Sequence, residues 1–126
     1  MTYRALTQDS DLPSCMHFPR FLNGIPCSSS SKLLYCILLD ATLTRGLKDE
    51  QGQTYVCFSI PELNRYLLRG ESTTKRLLHE LEEYGLLMRR RKHNGNPSRL
   101  YVLIPAEDKQ SGFGLRGDLN KYSAYA

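Results

Sequence analysis

The sequence lacks the long apolar runs that a membrane protein needs. Its longest run, Leu33–Leu39, has seven residues, whereas a transmembrane helix takes about 20. The N-terminal residues MTYRALTQDSDLP also lack the basic, then apolar, then small-residue order of a secretory signal. We therefore expect a cytoplasmic protein that has no membrane partner.

Cysteine is scarce, and its spacing does not suggest a metal site. The four cysteines, Cys15, Cys27, Cys36 and Cys57, include no C-x-x-C pair, so neither a zinc site nor a disulfide framework is predicted. A site built from Cys15, His17 and Cys27 is the alternative interpretation. Buried or incidental thiols are favoured over it, because lone cysteines in apolar helices usually belong to the core.

Catalytic signatures are missing as well. The sequence shows no paired carboxylates, no nucleophile with a neighbouring base and no ligands at metal-binding spacing. The glycines of SGFGLRG are not followed by the lysine and hydroxyl residue of a phosphate-binding loop. We therefore expect a protein that is not an enzyme and that uses no cofactor and no metal.

The composition fits one soluble globular domain, with 40% hydrophobic and 24% charged residues. Positive charge is concentrated in one part of the chain. Residues 65–99 carry nine basic and four acidic side chains, a local net charge of +5 in a chain whose total is +4. Such a cluster is typical of a polyanion-binding surface, although a solvated basic face would have the same composition.

The first half of the chain predicts one long helix and one short strand. A polar arm, residues 1–14, precedes Met16–Leu22, which should pack as an extended strip. The segment SSKLLYCILLDATLTR has apolar residues at helical spacing and predicts a helix that ends before Gly46. A polar turn with Asp49 and Gly52 then leads to a strand over Thr54–Phe58.

Two further helices should follow in close succession. Ser59 and Glu62 form a capping-box pattern that predicts a helix over residues 60–68. Arg69-Gly70 is a tight connection, and a third helix then continues until Gly85 stops it. The apolar stripe of this third helix is expected to consist of Leu77, Leu78, Leu81 and Tyr84. Its opposite face is polar, with basic and hydroxyl groups early and acids, including Glu80 and Glu83, late.

The chain next predicts a β-hairpin and a tail. The arms are Leu86–His93 and Arg99–Ile104, joined through an Asn-Gly turn signal. Because the first arm is polar or basic after Met88, we expect the hairpin to project from the domain. The domain should cover residues 15–105, and residues 106–126 are expected to be a flexible or docking tail.

This order of elements is that of an α+β fold, a winged helix-turn-helix, in which three helices and a short strand are followed by a two-stranded β-hairpin wing. The third helix of such a fold offers side chains to a DNA major groove, and the wing contacts the backbone or the minor groove. The groove-facing candidates are Ser72, Thr73, Lys75 and Arg76, with His79 at the margin. The wing candidates are Arg89, Arg90, Arg91, Lys92 and Arg99. Strand alternation separates Arg89 and Arg91 from Arg90 and Lys92.

Several segments resemble the N-terminal domain of plasmid replication initiator protein A. They are FPRFL at Phe18–Leu22, SSKLLYCILLD at Ser30–Asp40, DEQGQTYVCFSIPEL at Asp49–Leu63, TTKRLLHELEEYGLLMRRR at Thr73–Arg91 and NGNPSRLYV at Asn94–Val102. The resemblance implies a winged-helix domain, often dimeric, that binds repeated double-stranded DNA sequences at a replication origin and helps to recruit host replication proteins. Those initiators continue into a second domain, so this chain is expected to be an excised domain or a short stand-alone relative.

Two other functions share the same sequence features. A winged-helix transcriptional repressor would bind an operator instead of an origin, and a winged-helix protein-interaction module would leave the basic surface unused. A homodimer is expected for a DNA binder, because paired half-sites supply contacts that one winged helix lacks. The arm, the strip Met16–Leu22 or the tyrosine-bearing tail would form its interface.

Overall fold

The computed structural model describes residues 2–91 and 98–106, in which helices are followed by a pair of short antiparallel strands, and this order occurs twice. The elements are a 3-10 helix Arg20–Gly24, α1 Ser29–Arg45, β1 Leu47–Lys48, β2 Thr54–Tyr55, α2 Ile60–Leu67, α3 Glu71–Glu83, β3 Leu87–Arg90 and β4 Arg99–Val102. Strand β1 pairs with β2, and β3 pairs with β4. Val56 forms one bridge to Leu100, which joins the two hairpins. The α+β prediction is confirmed.

Helix α1 is the central element of the core. Ser28 caps it by accepting a hydrogen bond from the Ser31 amide, and its buried residues include Tyr35 and Leu38, both fully inaccessible. The Tyr35 hydroxyl donates to the Leu103 carbonyl oxygen at 2.8 Å, and burial raises its pKa to about 12. Helix α1 packs on α3 and also contacts β4. Within the described ranges, no helix is long and apolar enough to span a membrane.

The four cysteines are divided between the core and the surface. Cys27 and Cys36 are buried, Cys15 and Cys57 are exposed, and all four are free. Burial raises the pKa of both core thiols.

The sequence predicts an extended strip over Met16–Leu22, but the segment is not extended over its whole length. A 3-10 helix begins at Arg20, and Leu22 in its middle is fully buried. Pro19 precedes it with φ −60°, and its carbonyl accepts a hydrogen bond from the Leu22 amide at 3.1 Å. Proline fixes φ at a value that suits the start of a turn, and the turn allows Leu22 to enter the core.

The region between α1 and α2 contains one strand more than the sequence predicts. The polar turn at Asp49–Gly52 is the tip of a hairpin, because Leu47 pairs with Tyr55 and Lys48 with Thr54. The strand expected over Thr54–Phe58 is correspondingly shorter. It ends at Tyr55, after which only Val56 pairs, and Phe58 turns into the core.

Helices α2 and α3 meet at a sharp turn. Ser59 Oγ accepts from the Glu62 amide at 3.2 Å, and Glu62 Oε1 accepts from the Ser59 amide at 2.8 Å, so the predicted capping box is confirmed. Hydrogen bonds from the Ser59 amide and hydroxyl lower the pKa of Glu62. After Leu67, Leu68 adopts the left-handed conformation (φ 57°, ψ 42°) and Gly70 caps α3. The tight connection at Arg69-Gly70 is therefore observed.

The buried stripe of α3 differs from the predicted one at its end. Leu77, Leu78 and Leu81 are buried as expected, but Tyr84 is 42% exposed. Helix α3 ends at Glu83 and Gly85 has φ +74°, so Tyr84 leaves the helical stripe and its hydroxyl donates to the Pro26 carbonyl oxygen. The fourth buried residue of the stripe is Thr74, near the start of the helix.

Glu80 was expected on the polar face of α3, but the structure turns it toward the start of α1. Its carboxylate accepts hydrogen bonds from the Ser28 amide and the Ser28 hydroxyl, both at 2.9 Å, and from the Ser31 hydroxyl. These bonds, that from Ser31 first, lower the pKa of Glu80. Glu80 therefore links α3 to the N-terminus of α1 and is not a solvated surface acid.

Candidate nucleic-acid interface

The outer face of α3 presents a continuous set of polar side chains. Burial of Thr74, Leu77, Leu78 and Leu81 fixes the rotation of the helix, so the residues between them point away from the core. The exposed ones are Ser72, Lys75, Arg76 and His79, with Thr73 half-buried beside them. The structure thus places all five groove-facing candidates on one helix.

One ion pair and one histidine–carboxylate contact lie on this face. Lys75 Nζ lies 2.8 Å from Glu71 Oε2, and His79 Nε2 lies 3.5 Å from Glu83 Oε2. All four side chains are more than half exposed, and pairs of this kind are weak and salt-sensitive. The Lys75 ammonium, which lowers the pKa of Glu71 by hydrogen bonding, can therefore exchange its carboxylate partner for a phosphate at little cost.

The wing does not simply project from the domain, because one of its arginines is held against α3. Arg89 donates to Glu82 Oε1 from Nη2 at 2.7 Å and from Nε at 3.1 Å. Only 15% of the Arg89 side chain is exposed. The expectation that the hairpin projects because its first arm is polar or basic after Met88 is therefore wrong for Arg89, which is covered. The reason is the acid on α3, which compensates the charge of Arg89 and allows it to be covered.

The face of the wing that carries Arg89 is its inner face. A cleft of about 760 Å³ lies between this inner face, α3 and the start of α2. Three predicted site residues, Lys75, Arg89 and Arg91, line it together with the hydroxyl residues Ser59 and Ser98. The two serines were not among the predicted site residues. Ser59 was assigned only to the cap of α2, and Ser98 only to the turn, although hairpin register places Ser98 across from Arg91.

The outer face of the wing carries the other two described arginines. Arg90 and Arg99 are cross-strand partners. The guanidinium carbon of Arg99 lies 4.3 Å from the ring centre of Tyr55, and that of Arg90 lies 5.3 Å from the ring centre of Tyr101. Such stacking is a cation–π interaction. Strand alternation thus separates Arg90 from Arg89 and Arg91, as predicted.

The wing arginines differ in how far they are engaged within the protein. Arg99 also lies 3.7 Å from Glu50 Oε1, and 17% of its side chain is exposed, whereas Arg90 and Arg91 are exposed. Arg90 and Arg91 are therefore better placed than Arg89 and Arg99 to meet a polyanion. Lys92, His93 and the Asn-Gly turn lie outside the described residues.

Two helices joined by a sharp turn, with a two-stranded sheet flanking the second of them, define a winged-helix domain. Residues 23–111 match the family described as "Replication initiator protein A (RepA) N-terminus", and the chain belongs to this family. The motif resemblance is confirmed. No match was found among curated proteins.

Solved structures share this fold at low sequence identity. A chain titled "N-Terminal domain of DNA binding protein" is similar with a TM-score of 0.70 and 22% identity, over 86% of this chain and 88% of that one. One titled "Structure of Rep-DNA complex" has a TM-score of 0.69 and 21% identity with the same coverage. A third, "Structure of MDR initiator", has a TM-score of 0.66 and 23% identity over 87% and 89% of the two chains.

Proposed function

We propose that this domain binds double-stranded DNA sequence-specifically at a plasmid replication origin, with α3 in the major groove and the wing on the adjacent backbone or minor groove. The single observation that carries this proposal is the shared cleft, into which α3 brings Lys75 and the wing brings Arg91. Membership of the initiator family supports the choice of an origin as the target. We assign the domain a binding role without a catalytic step or a cofactor.

The contacts divide by the chemistry of the side chains. Ser72, Thr73 and Arg76 on the exposed face of α3 can hydrogen-bond to base edges, which specifies sequence. Lys75 and the exposed wing arginines would contact phosphates, which supply affinity and salt dependence. Arg89 and Arg99 hold the wing through protein partners, so their contribution to DNA binding is chiefly indirect.

A homodimer is part of this proposal, because paired half-sites increase both affinity and specificity. Large apolar side chains before the 3-10 helix are exposed, among them Tyr3, Leu6 and Phe18. An apolar groove of about 280 Å³, lined in part by Met16 and Tyr66, lies nearby against α1. These features support an interface at the N-terminal segment. The family also supports host replication proteins as further partners and a cytoplasmic location.

The test is a fluorescence-anisotropy titration with duplexes from within and around this protein's own gene, against a shuffled duplex, at two salt concentrations. We expect one native duplex to be preferred by roughly a thousandfold, with a log–log salt slope of about −5 or steeper. A preferred duplex in a promoter instead of an origin would make the protein a repressor.

Charge reversal distinguishes DNA binding from a protein-interaction role. Arg90→Glu with Arg91→Glu should abolish specific binding, because both guanidinium groups are exposed on the wing. The two reversals are also made singly, and Lys32→Glu is the control of equal charge change for each of them. Lys32 is half-buried in the first turn of α1, beside the C-terminal half of α3. Equal binding by the double variant and the control would contradict the proposed interface.

A further inference from the structure

The wing is held from both of its faces by side-chain hydrogen bonds to other elements. On the inner face, Arg89 is bound by Glu82 of α3. On the outer face, the Tyr101 hydroxyl donates to Asp49 Oδ2 at 2.8 Å. The inner bond ties the wing to the helix that carries the groove-facing residues. The outer bond ties the wing to the β1–β2 turn, to which the proposed function assigns no role.

The two carboxylate oxygens of Asp49 accept hydrogen bonds from different parts of the protein. Its Oδ1 accepts from the amides of Gln51 and Gln53, each at 2.9 Å, and thereby shapes the β1–β2 turn. Its Oδ2 receives Tyr101. Burial by itself would raise the pKa of Asp49, but the hydrogen bond from Tyr101 and those from the Gln53 and Gln51 amides outweigh it and lower the pKa. The acceptor is therefore a carboxylate at neutral pH.

Tyr101 transmits this constraint to the surface of the wing. Its side chain is 3% exposed, and the exposed Arg90 stacks on its ring. The backbone link between the hairpins is a single bridge, in which Val56 and Leu100 exchange two hydrogen bonds at 3.0 and 2.8 Å. Beyond this bridge, the wing is held by the core packing of Leu87 and Leu100 and by side-chain bonds. On the outer face, the bond from Tyr101 to Asp49 is therefore one of the contacts that set its orientation.

We propose that Asp49 is a positioning residue for DNA binding, which fixes the wing through Tyr101 so that Arg90 is presented at the angle the duplex requires. The inference rests on the proposed function, because it assigns Asp49 a part in that same site. Asp49 does not touch DNA itself. A carboxylate in a small turn thus contributes to affinity although its charge is of the wrong sign for a phosphate.

The test compares three variants of the full chain at a temperature where circular dichroism shows each to be folded. Tyr101→Phe removes only the hydroxyl, and Asp49→Asn keeps an acceptor for the turn amides. Tyr84→Phe is the matched control, because it also removes one tyrosine hydrogen bond, but one that joins the end of α3 to Pro26 and not the wing to the β1–β2 turn. We expect Tyr101→Phe and Asp49→Asn to weaken specific binding about fivefold, the equivalent of one hydrogen bond, and Tyr84→Phe to leave it unchanged.

Two further readouts separate positioning from contact and from general destabilisation. The salt slope should stay at the wild-type value in Asp49→Asn, because no phosphate contact is lost, whereas Arg90→Gln should reduce it by about one. The double variant Asp49→Asn with Tyr101→Phe should be no weaker than Tyr101→Phe alone, because the bond to the Asp49 carboxylate is already absent in that single variant. Additive losses, or wild-type affinity in the single variants, would overturn the proposal.

Hydrogen exchange of the free protein distinguishes failure of this inference from failure of the proposed function. Tyr101→Phe should accelerate exchange of the β4 amides relative to those of α3, with or without DNA. If the wild-type protein shows no duplex preference, the proposed function fails and with it the role of Asp49 in binding. If the wild-type protein binds specifically but β4 exchange is unchanged in Tyr101→Phe, the inference alone is wrong.

Discussion

Glu80 offers the sharpest test of how the fold is held together. Its carboxylate lies between α3 and α1 and accepts from the Ser28 amide, the Ser28 hydroxyl and the Ser31 hydroxyl. Ser31 is fully buried. We expect Glu80→Gln to lower the free energy of unfolding. The amide keeps the shape of the side chain, but it loses the charge, and its NH2 group cannot replace the oxygen that accepts from the Ser28 amide.

The magnitude follows from the number of bonds and their exposure. A hydrogen bond to a charged group contributes about 1.5–3 kcal/mol and a neutral one about 1 kcal/mol. Because two of the three bonds lie near solvent, the expected loss for Glu80→Gln is about 1–2 kcal/mol. For a domain of this size, that loss corresponds to a fall of roughly 5–10 °C in Tm.

The assay is urea unfolding at neutral and acid pH, with Glu83→Gln as the control. Glu83 is an exposed acid of the same helix whose partner is the weakly placed His79. The folded pKa of Glu80 lies below its ordinary value of 4.5, so its stabilising effect is fully present above that value and is lost as the pH falls through the folded pKa. The difference between wild type and Glu80→Gln should therefore shrink at low pH.

Equal unfolding midpoints for Glu80→Gln and Glu83→Gln at neutral pH would refute this reasoning. So would a difference between wild type and Glu80→Gln that persists undiminished at pH 3. In either case the link between α3 and the N-terminus of α1 would have to come from the apolar contacts alone.

Two more predictions concern the core and the end of α1. Thr74 is fully buried, and its hydroxyl has no hydrogen-bond partner within residues 2–91 and 98–106. Thr74→Val should therefore stabilise the protein by about 1 kcal/mol in urea unfolding. A loss of stability would mean that the hydroxyl does have a hydrogen-bond partner. A Cβ at Gly46 would lie 2.3 Å from Thr54 Cγ2 and 2.5 Å from the Thr42 carbonyl oxygen. Gly46→Ala should therefore cost about 1–3 kcal/mol by thermal unfolding, and an unchanged Tm would show that Thr54 in β2 can move away.

The helices could be predicted because their signals are local in the sequence. The Ser59 and Glu62 pair, the leucine spacing of α3 and the stop at Gly85 each lie within a few residues of the element they define. Strand β1 could not be predicted, because its two residues are exposed and a two-residue strand shows no alternation. Its existence depends on the turn that Asp49 closes.

The sequence predicts which basic residues belong to the candidate site, but not what each of them does there. Charge and element order identify the basic residues, since both are visible along the chain. The partners that engage Arg89 and Arg99, namely Glu82 and Tyr55, lie on other elements, and only the folded structure brings them together. The same applies to Glu80, whose partners in α1 precede it by about 50 residues, so that its hydrogen bonds leave no local pattern.

The bridge between Val56 and Leu100 also orders the folding of the chain. It encloses a loop of roughly 40 residues that contains α2 and α3, and closing such a loop costs entropy that short-range helical contacts do not require. Docking of α3 on α1 closes a loop of similar length, because Ser28 and Glu80 are 52 residues apart. The contacts of α2 with α3 are local, so this pair can form first. We expect the wing to join the sheet together with the docking of α3 on α1, so that a partly denatured chain loses both long-range contacts at once.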